Sequence, residues 1–554
     1  MARRRIGFRH LGTLGFILAL AGCARREPSP ETTAHADVPQ RGGTLVLGTP
    51  EEPELLDSIL MLSKGGQLIN NVLFSRFVVY DDSLRLVPDL LTEIPTLANG
   101  GIAADELTYT YHLRHDARWH DGTPLTSADV EFTYRVIMHP DAGAESQQGW
   151  DVIERVDTPD AHTVVFRLKE PYASFVSDTF SDEDVLPRHL LQDYLGAEFR
   201  NAPFHRAPVG SGPFRFQEWV AGSHLTVTRF DAYHGGAPAL DAITFKFVPE
   251  AGTVLAQLQS GDLHGFDQIE PAQALVVERI AALRLHRTPS LAFEHVDFNC
   301  VHPLLSDAHV RRALAHATDR VAIAQHVYEG AEPARADQRP LSPYYSTVAD
   351  TALRYDPAQG RALLAAAGWR DGNGDGIVER NGKALRFELC TTAGRTARER
   401  AVAVLQQQWR AIGADVTVKL YNPAVLFGSP ESGGILRRGA FGAALFGWGQ
   451  PPDPAGMQVV YGSDFAPPNG QNMGRFEHAR LDTLVALGAR VADPARRVPL
   501  YREVEAILLH EVPSVPLVWL VEIDVMTARL HGFRPNPQSG DTWNAHAWWL
   551  TSAL

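Results

Sequence analysis

Cysteine and lysine are both scarce in this chain, and each scarcity removes a class of function. Only three of the 554 residues are cysteine. Two of them, Cys300 and Cys390, stand far apart and give no disulfide framework of the kind that staples small secreted domains. Neither has a Cys-x-x-Cys or Cys/His neighbour at zinc spacing, so two buried free thiols are expected and metal or thiol chemistry recedes. Lysine occurs five times (Lys64, Lys169, Lys246, Lys383, Lys419), arginine supplies the other cations, and acids exceed bases by 65 to 51. The resulting formal charge of −14 makes a nucleic-acid partner a poor match. Beyond the N-terminus no apolar run reaches the roughly 18 residues of a membrane span. Also missing are a Walker A loop, an HExxH helix and a dinucleotide-binding fingerprint, so the chain is read as having no catalytic residue, metal or cofactor.

What is present is ordinary soluble composition, 45% hydrophobic and 21% charged, over a length that exceeds one hydrophobic core. Two or three lobes are therefore expected. The N-terminus joins a basic "MARRRIGFRH" to the short apolar "LGTLGFILAL" and then to "LAGC", which resembles a bacterial lipoprotein signal. On that resemblance residues 1–22 are a signal peptide and Cys23 carries the lipid that holds the chain on a membrane at the periplasmic or extracytoplasmic face. Their removal deletes four arginines and no acid, taking the charge to −18. Residues 23–42, polar and proline-rich, read as a flexible tether.

Structure then begins at "GTLVLGT", a glycine-bounded strand. A helix is expected over Thr126 to Ile137, where Thr126 and Asp129 are placed as a capping box. A second runs through "SDAHVRRALAHATDRVAIAQHVY", with Val310, Leu314, Ala317 and Val321 at helical spacing. A third, with Val402, Leu405, Trp409 and Ile412 in line, stops at Gly413 and gives way to a strand of alternating Val416, Val418 and Leu420. Strands are expected within 107–119, 162–171, 223–230 and 241–250, where apolar and polar residues alternate. No 20–50-residue period repeats, so the fold class is α/β with mixed sheets.

Three stretches invite chemistry. "DGNGDGIVERNGK" (371–383) begins like an EF-hand loop, but the position that needs a bidentate glutamate is Gly382 and a strand follows, so a glycine-rich turn is expected. His120 beside Asp121 could serve a hydrolase as base and orienter. Adjacent residues there point apart, and Asp121-Gly122 is first a turn. Ser211 lies in G-S-G, which is not a nucleophile elbow. A large chain without poised chemistry reads as a binder with a cleft of convergent polar and aromatic groups.

Six stretches in order resemble one family, the extracytoplasmic solute-binding proteins of the peptide/nickel type (family 5) that serve ABC importers. They are residues 107–134, 208–267 with "PVGSGPF" and "LQSGD", 296–320 with "FN" and "DAHVRRAL", 355–389, "GWGQPPDP" (447–454) and "RPNPQSGDTWNAHAWWL" (534–550). The resemblance implies a two-lobed periplasmic-binding-protein fold, type II-like and of the large class. Lobe I would be discontinuous (40–80, 205–292, 523–554), an additional smaller α/β domain would span 81–204, and lobe II 293–522.

It further implies a monomeric transport component that takes a small solute, first of all a peptide, in the interlobe cleft and hands it to an ABC permease. The same scaffold with a non-peptide solute (an oligosaccharide, nickel chelate or haem-like compound) and a surface hydrolase stay open as alternatives. By the resemblance the ligand is met by Gly447, Trp448 and Gly449, by Met61, Leu62 and Ser63, and by Asn472 and Trp519. Peptide-binding relatives use an acid three residues after the tryptophan to hold the peptide amine. Here that position is Pro451, Gln450 is neutral, and Asp453 is the first acid able to substitute.

Overall fold

Glycines 42 and 43, both at positive φ, release the chain into the first strand of a large mixed sheet. The computed structural model describes residues 39–551, apart from 61, 62, 180, 182 and 431. The signal-peptide reading, Cys23, Met61 and Leu62 fall outside the described residues. Eleven strands share the sheet among the described residues. They are β1 (Thr44–Thr49), β2 (Phe214–Val220), β3 (His224–Arg229), β4 (Ala242–Phe247), β5 (Gly265–Phe266) and β6 (Leu283–Phe298). They continue with β7 (Glu332–Pro333), β8 (Arg386–Thr392), β9 (Asp415–Tyr421), β10 (Ala443–Gly449) and β11 (Ser514–Thr527). The order is β9-β8-β10-β6-β11-β5-β1-β4-β3-β2, with β7 against β11.

The long antiparallel pair β6–β11 joins the two halves of this sheet. Its ladder runs from Leu283 opposite Thr527 to Pro289 opposite Val521, breaks, and resumes at Phe293 opposite Trp519. Pro289 offers no N–H to a partner strand, and the residues after it bulge, so the pair is locally unladdered where the chain passes between halves. A large apolar cluster surrounds one half, and a second, built from residues between Val296 and Val518, surrounds the other. Segments 40–80, 81–204 and 205–245 contribute to the same first cluster, in which Tyr111 meets Phe77 and Phe166 edge-on at 5.3 and 5.2 Å.

The expected helices form with one exception. Ser127–Met138 is capped by Thr126, whose N–H donates to Asp129 Oδ2 at 2.8 Å. Thr396–Arg410 buries Val402, Leu405 and Trp409, and Gly413 at φ +98° ends that unit before β9. In β9 Val416 is buried, but Leu420 is exposed. The stretch after Ser306 breaks into Ala308–His316 and Arg320–His326 instead of running through. Thr318 Oγ1 donates back to Leu314 O at 2.8 Å, and Asp319 restarts the chain as an N-cap, accepting from Ala322 N at 3.0 Å. Val321 is therefore exposed, not part of the buried face.

Cys390 is buried and Cys300 partly so, and both are free thiols. No helix of the described residues is long and apolar enough to cross a membrane.

Candidate functional site

Loops that leave the strands of one half face a hairpin and a short helix of the other across a cavity of about 470 Å³. That volume is within the ~300–1,000 Å³ of small-ligand sites. One wall is the hairpin segment Tyr80–Leu86 with Ala173, Val176 and Ser177; the other includes Gln338, Arg339, Tyr344, Gln450 and Trp519.

Trp519 lies on β11 just beyond the β6–β11 break. Its ring is 4.8 Å from that of Phe293, and the Arg339 guanidinium sits 4.8 Å over its face. Trp519 thus joins a small apolar cluster with Phe293 and Ala334 and at the same time lines the cavity. Gly447, Trp448 and Gly449 are the end of β10, in register with Glu294, Phe293 and Ala292 of β6. A Cβ on Gly447 would come within 3.0 Å of Arg398 Nη2 and 3.3 Å of Glu294 Oε1, so glycine makes room for that ion pair. Trp448 is half-buried, packs against the Phe293–Trp519 cluster and lies nearly parallel to His295 at 6.4 Å. After Gly449 the chain bends into the cavity wall, and Gln450 N donates to Leu291 O at 2.9 Å.

Three expected ligand residues already have hydrogen-bond partners within the protein, and of these Asp453 lines the cavity. Asp453 is not a free amine anchor, because Arg497 grips its carboxylate with two prongs (Nη1–Oδ2 2.5 Å, Nη2–Oδ1 2.7 Å). Ser174 Oγ and the Ala455 N–H also donate to Asp453 Oδ1, at 2.8 and 2.9 Å. Its charge holds the Arg497 guanidinium well above the ordinary arginine range despite burial. Asn472 is a buried turn-holder. Its amide donates to Gly462 O at 3.0 Å and Phe476 O at 2.8 Å, and its oxygen accepts from Phe476 N at 3.0 Å, so both of its donors are spent inside the turn. Ser63 is occupied as the N-cap of the helix Lys64–Leu73, accepting from Gly66 N at 3.1 Å.

Sequence reasoning missed Arg339, Gln338 and the hairpin wall. Gln338 and Arg339 sit in the aperiodic "ARADQRPLSP", where nothing in the pattern marks a buried cation. Burial pushes the Arg339 pKa down to about 10, which still leaves it charged at neutral pH.

The other candidates make local hydrogen bonds, and Asp371, Asp375 and Glu379 also bring carboxylate oxygens within 4.8 Å of one another. His120 Nε2 donates to Gly212 O (3.1 Å) and its Nδ1 accepts from Gly210 N (3.1 Å), while Asp121 pairs with His189 at 2.8 Å, so the two adjacent side chains face different partners. The loop 371–376 folds on itself: Asp371 accepts from Gly374 N and Gly376 N at 2.7 and 3.0 Å, and Asp375 from Ile377 N at 2.8 Å. A short hairpin follows it instead of a helix.

Near the chain crossing, Asp267, Asp524 and Asp541 bury carboxylate oxygens within 4.8 Å of one another. Lys64 Nζ reaches Glu522 at 2.9 Å and Asp267 at 4.0 Å, and Ser290 Oγ donates to Glu522 at 2.9 Å. Burial first, then the Asp267 charge, pushes Asp524 up to about 8.

A long pair of strands joining two sheet halves, with a cavity where the walls meet, is the arrangement of a binding protein. Residues 85–466 match the family described as bacterial extracellular solute-binding proteins, family 5 Middle, and the chain belongs to that family. It is a solute-binding protein and not an enzyme. It is 29% identical over 556 residues to the oligopeptide-binding protein AppA of Bacillus subtilis, covering 99% of this chain and all of that one. The AppA structure, in complex with a nonapeptide, aligns over 93% of this chain and 100% of its own with a TM-score of 0.68. The ABC transporter substrate-binding protein CtaP of Listeria monocytogenes shares the fold at 24% identity and a TM-score of 0.78, over 93% and 100% of the two chains.

Proposed function

We propose that this chain captures a peptide in the cavity beside Trp519 and delivers it to an ABC import permease. The observation that carries the reading is the cavity's position. Its floor is Trp519 and Leu291, on the two strands that join the sheet halves, and its walls come from opposite sides. A solute held there touches both sides, so it favours the closed arrangement by the difference between its closed and open affinities. Lobe I is 40–80, 205–292 and 523–554, the additional domain 81–204 and lobe II 293–522, with the bulge after Pro289 and its partner near Glu522 as the hinge. The edge Gly447–Gly449 offers backbone to an extended peptide, and Trp519 supplies the apolar face. Peptide-binding relatives such as AppA support the choice of solute. A lipid on Cys23 would keep the loaded protein beside its permease.

The test is identification of what the protein carries. The full chain, purified without denaturant and then unfolded, should release a series of short peptides into the mass spectrometer. A single non-peptide compound in their place contradicts the reading.

A further inference from the structure

Several other arginines of this protein are fully engaged. Arg311 donates to backbone carbonyls at 2.6–3.0 Å, Arg398 grips Glu294 at 2.9–3.0 Å, and Arg497 grips Asp453. Arg339, with 7% of its surface exposed, is not. Its Nη2 reaches only Leu520 O at 3.4 Å, and its Nη1 lies 3.5 Å from Glu332, a half-exposed and solvent-screened acid. Its Nε is buried and has no hydrogen-bond partner among the described residues. Gln450, on the same cavity, also buries an amide nitrogen with no acceptor.

Two unspent donors on one cavity lining are costly when empty, because a buried N–H without an acceptor forfeits its solvation. The remaining charge on the lining leaves the balance positive. Arg85 is exposed and tied to Asp81 at 2.7 and 3.0 Å, and Asp453 is neutralised by Arg497. A planar guanidinium fork matches a carboxylate with two parallel hydrogen bonds. No uncommitted acid on that lining is available to an ammonium group.

We infer that Arg339 and Gln450 form an anion subsite that selects solutes bearing a carboxylate, and that a free amine on the solute adds nothing to binding. The inference rests on the cavity being the solute site, as proposed above. For a peptide, the subsite takes the terminal carboxylate or an acidic side chain while Trp519 packs on the neighbouring apolar part.

The test is calorimetric titration of the purified full chain with matched probes. These are di- to penta-alanine as free acids, as C-terminal amides and as N-acetylated acids, with a uronic-acid disaccharide beside its neutral counterpart. The free and N-acetylated acids should bind alike, and the amides at least about tenfold more weakly. In Arg339→Gln the acids should fall to the level of the amides. If that variant does not fold, Gln450→Met carries the comparison and should narrow the gap between acid and amide. Amides that match acids in the unaltered protein, loss of binding on N-acetylation, or no binding by any carboxylate probe overturns the subsite. Binding of the uronic acid with no peptide bound overturns the peptide reading and leaves the subsite standing. Tight binding of peptide amides and acids alike does the reverse.

Discussion

Asp453 and Arg497, 44 positions apart in sequence, are locked by a two-pronged ion pair at 2.5 and 2.7 Å, and Ser174 from the opposite wall donates to the same carboxylate. The pair is a clasp between structural elements. Removing one partner leaves a buried charge, which costs about 3–5 kcal/mol. Arg497→Ala should therefore lower the melting temperature strongly, and N-acetylation of a peptide should leave its affinity for the parent unchanged. Affinity that drops on N-acetylation in the parent would restore Asp453 as an amine anchor.

Asn472 holds a turn through three good hydrogen bonds and does not line the cavity beside Trp519. Asn472→Ala strips partners from buried backbone groups at a cost of about 1–3 kcal/mol. Denaturant unfolding should register that loss, while the peptide affinity of the folded fraction stays within about twofold. A selective loss of affinity without loss of stability would place Asn472 at the solute.

Asp524 sets a pH dependence whose sign is fixed by its raised pKa. The folded state holds a proton up to about pH 8 that the unfolded chain releases in the ordinary carboxylate range. The folded state therefore binds more protons across that window, and stability falls as pH rises through it. Asp524→Asn keeps a neutral side chain at all pH values. Its melting temperature should gain on the parent between pH 5 and pH 8, a window inside the one set by that shift. A gap that stays constant or narrows over this interval contradicts the assignment.

The loop at 371–376 spends its acids on its own backbone amides. Millimolar calcium should leave the melting curve unchanged, and Asp375→Ala should alter it equally with and without the ion. A calcium-dependent rise in melting temperature that this variant abolishes would make the loop a metal site.

Much of the fold was legible because it rests on local chemistry. The Thr126–Asp129 box and the Gly413 stop act within a few residues, and the structure places both as the pattern implies, whereas the strand after Gly413 forms with only Val416 of its apolar set buried. The family was legible from six ordered stretches. The helix break at Thr318 was not, since it turns on a side chain that competes with the backbone for Leu314 O. The site was less legible still. Trp519 and Asp453 line the cavity while Gly447, Trp448 and Gly449 do not, and Asp453, Asn472 and Ser63 spend hydrogen bonds on partners that the sequence does not announce. Those partners are distant in sequence for Asp453, and Arg339 carries no periodic signature at all. A polar residue's task depends on whether the fold leaves its hydrogen bonds unspent, and only the packed chain decides that.

The central claim is that a solute binds in the cavity floored by Trp519. Titration of the full chain with the alanine oligopeptides, in the parent and in Trp519→Ala, tests it most directly. One peptide should bind per chain with a negative heat-capacity change from buried apolar surface, and the variant should lose about 2 kcal/mol of binding while still folding. Equal affinity in parent and Trp519→Ala would place the solute elsewhere and contradict the account.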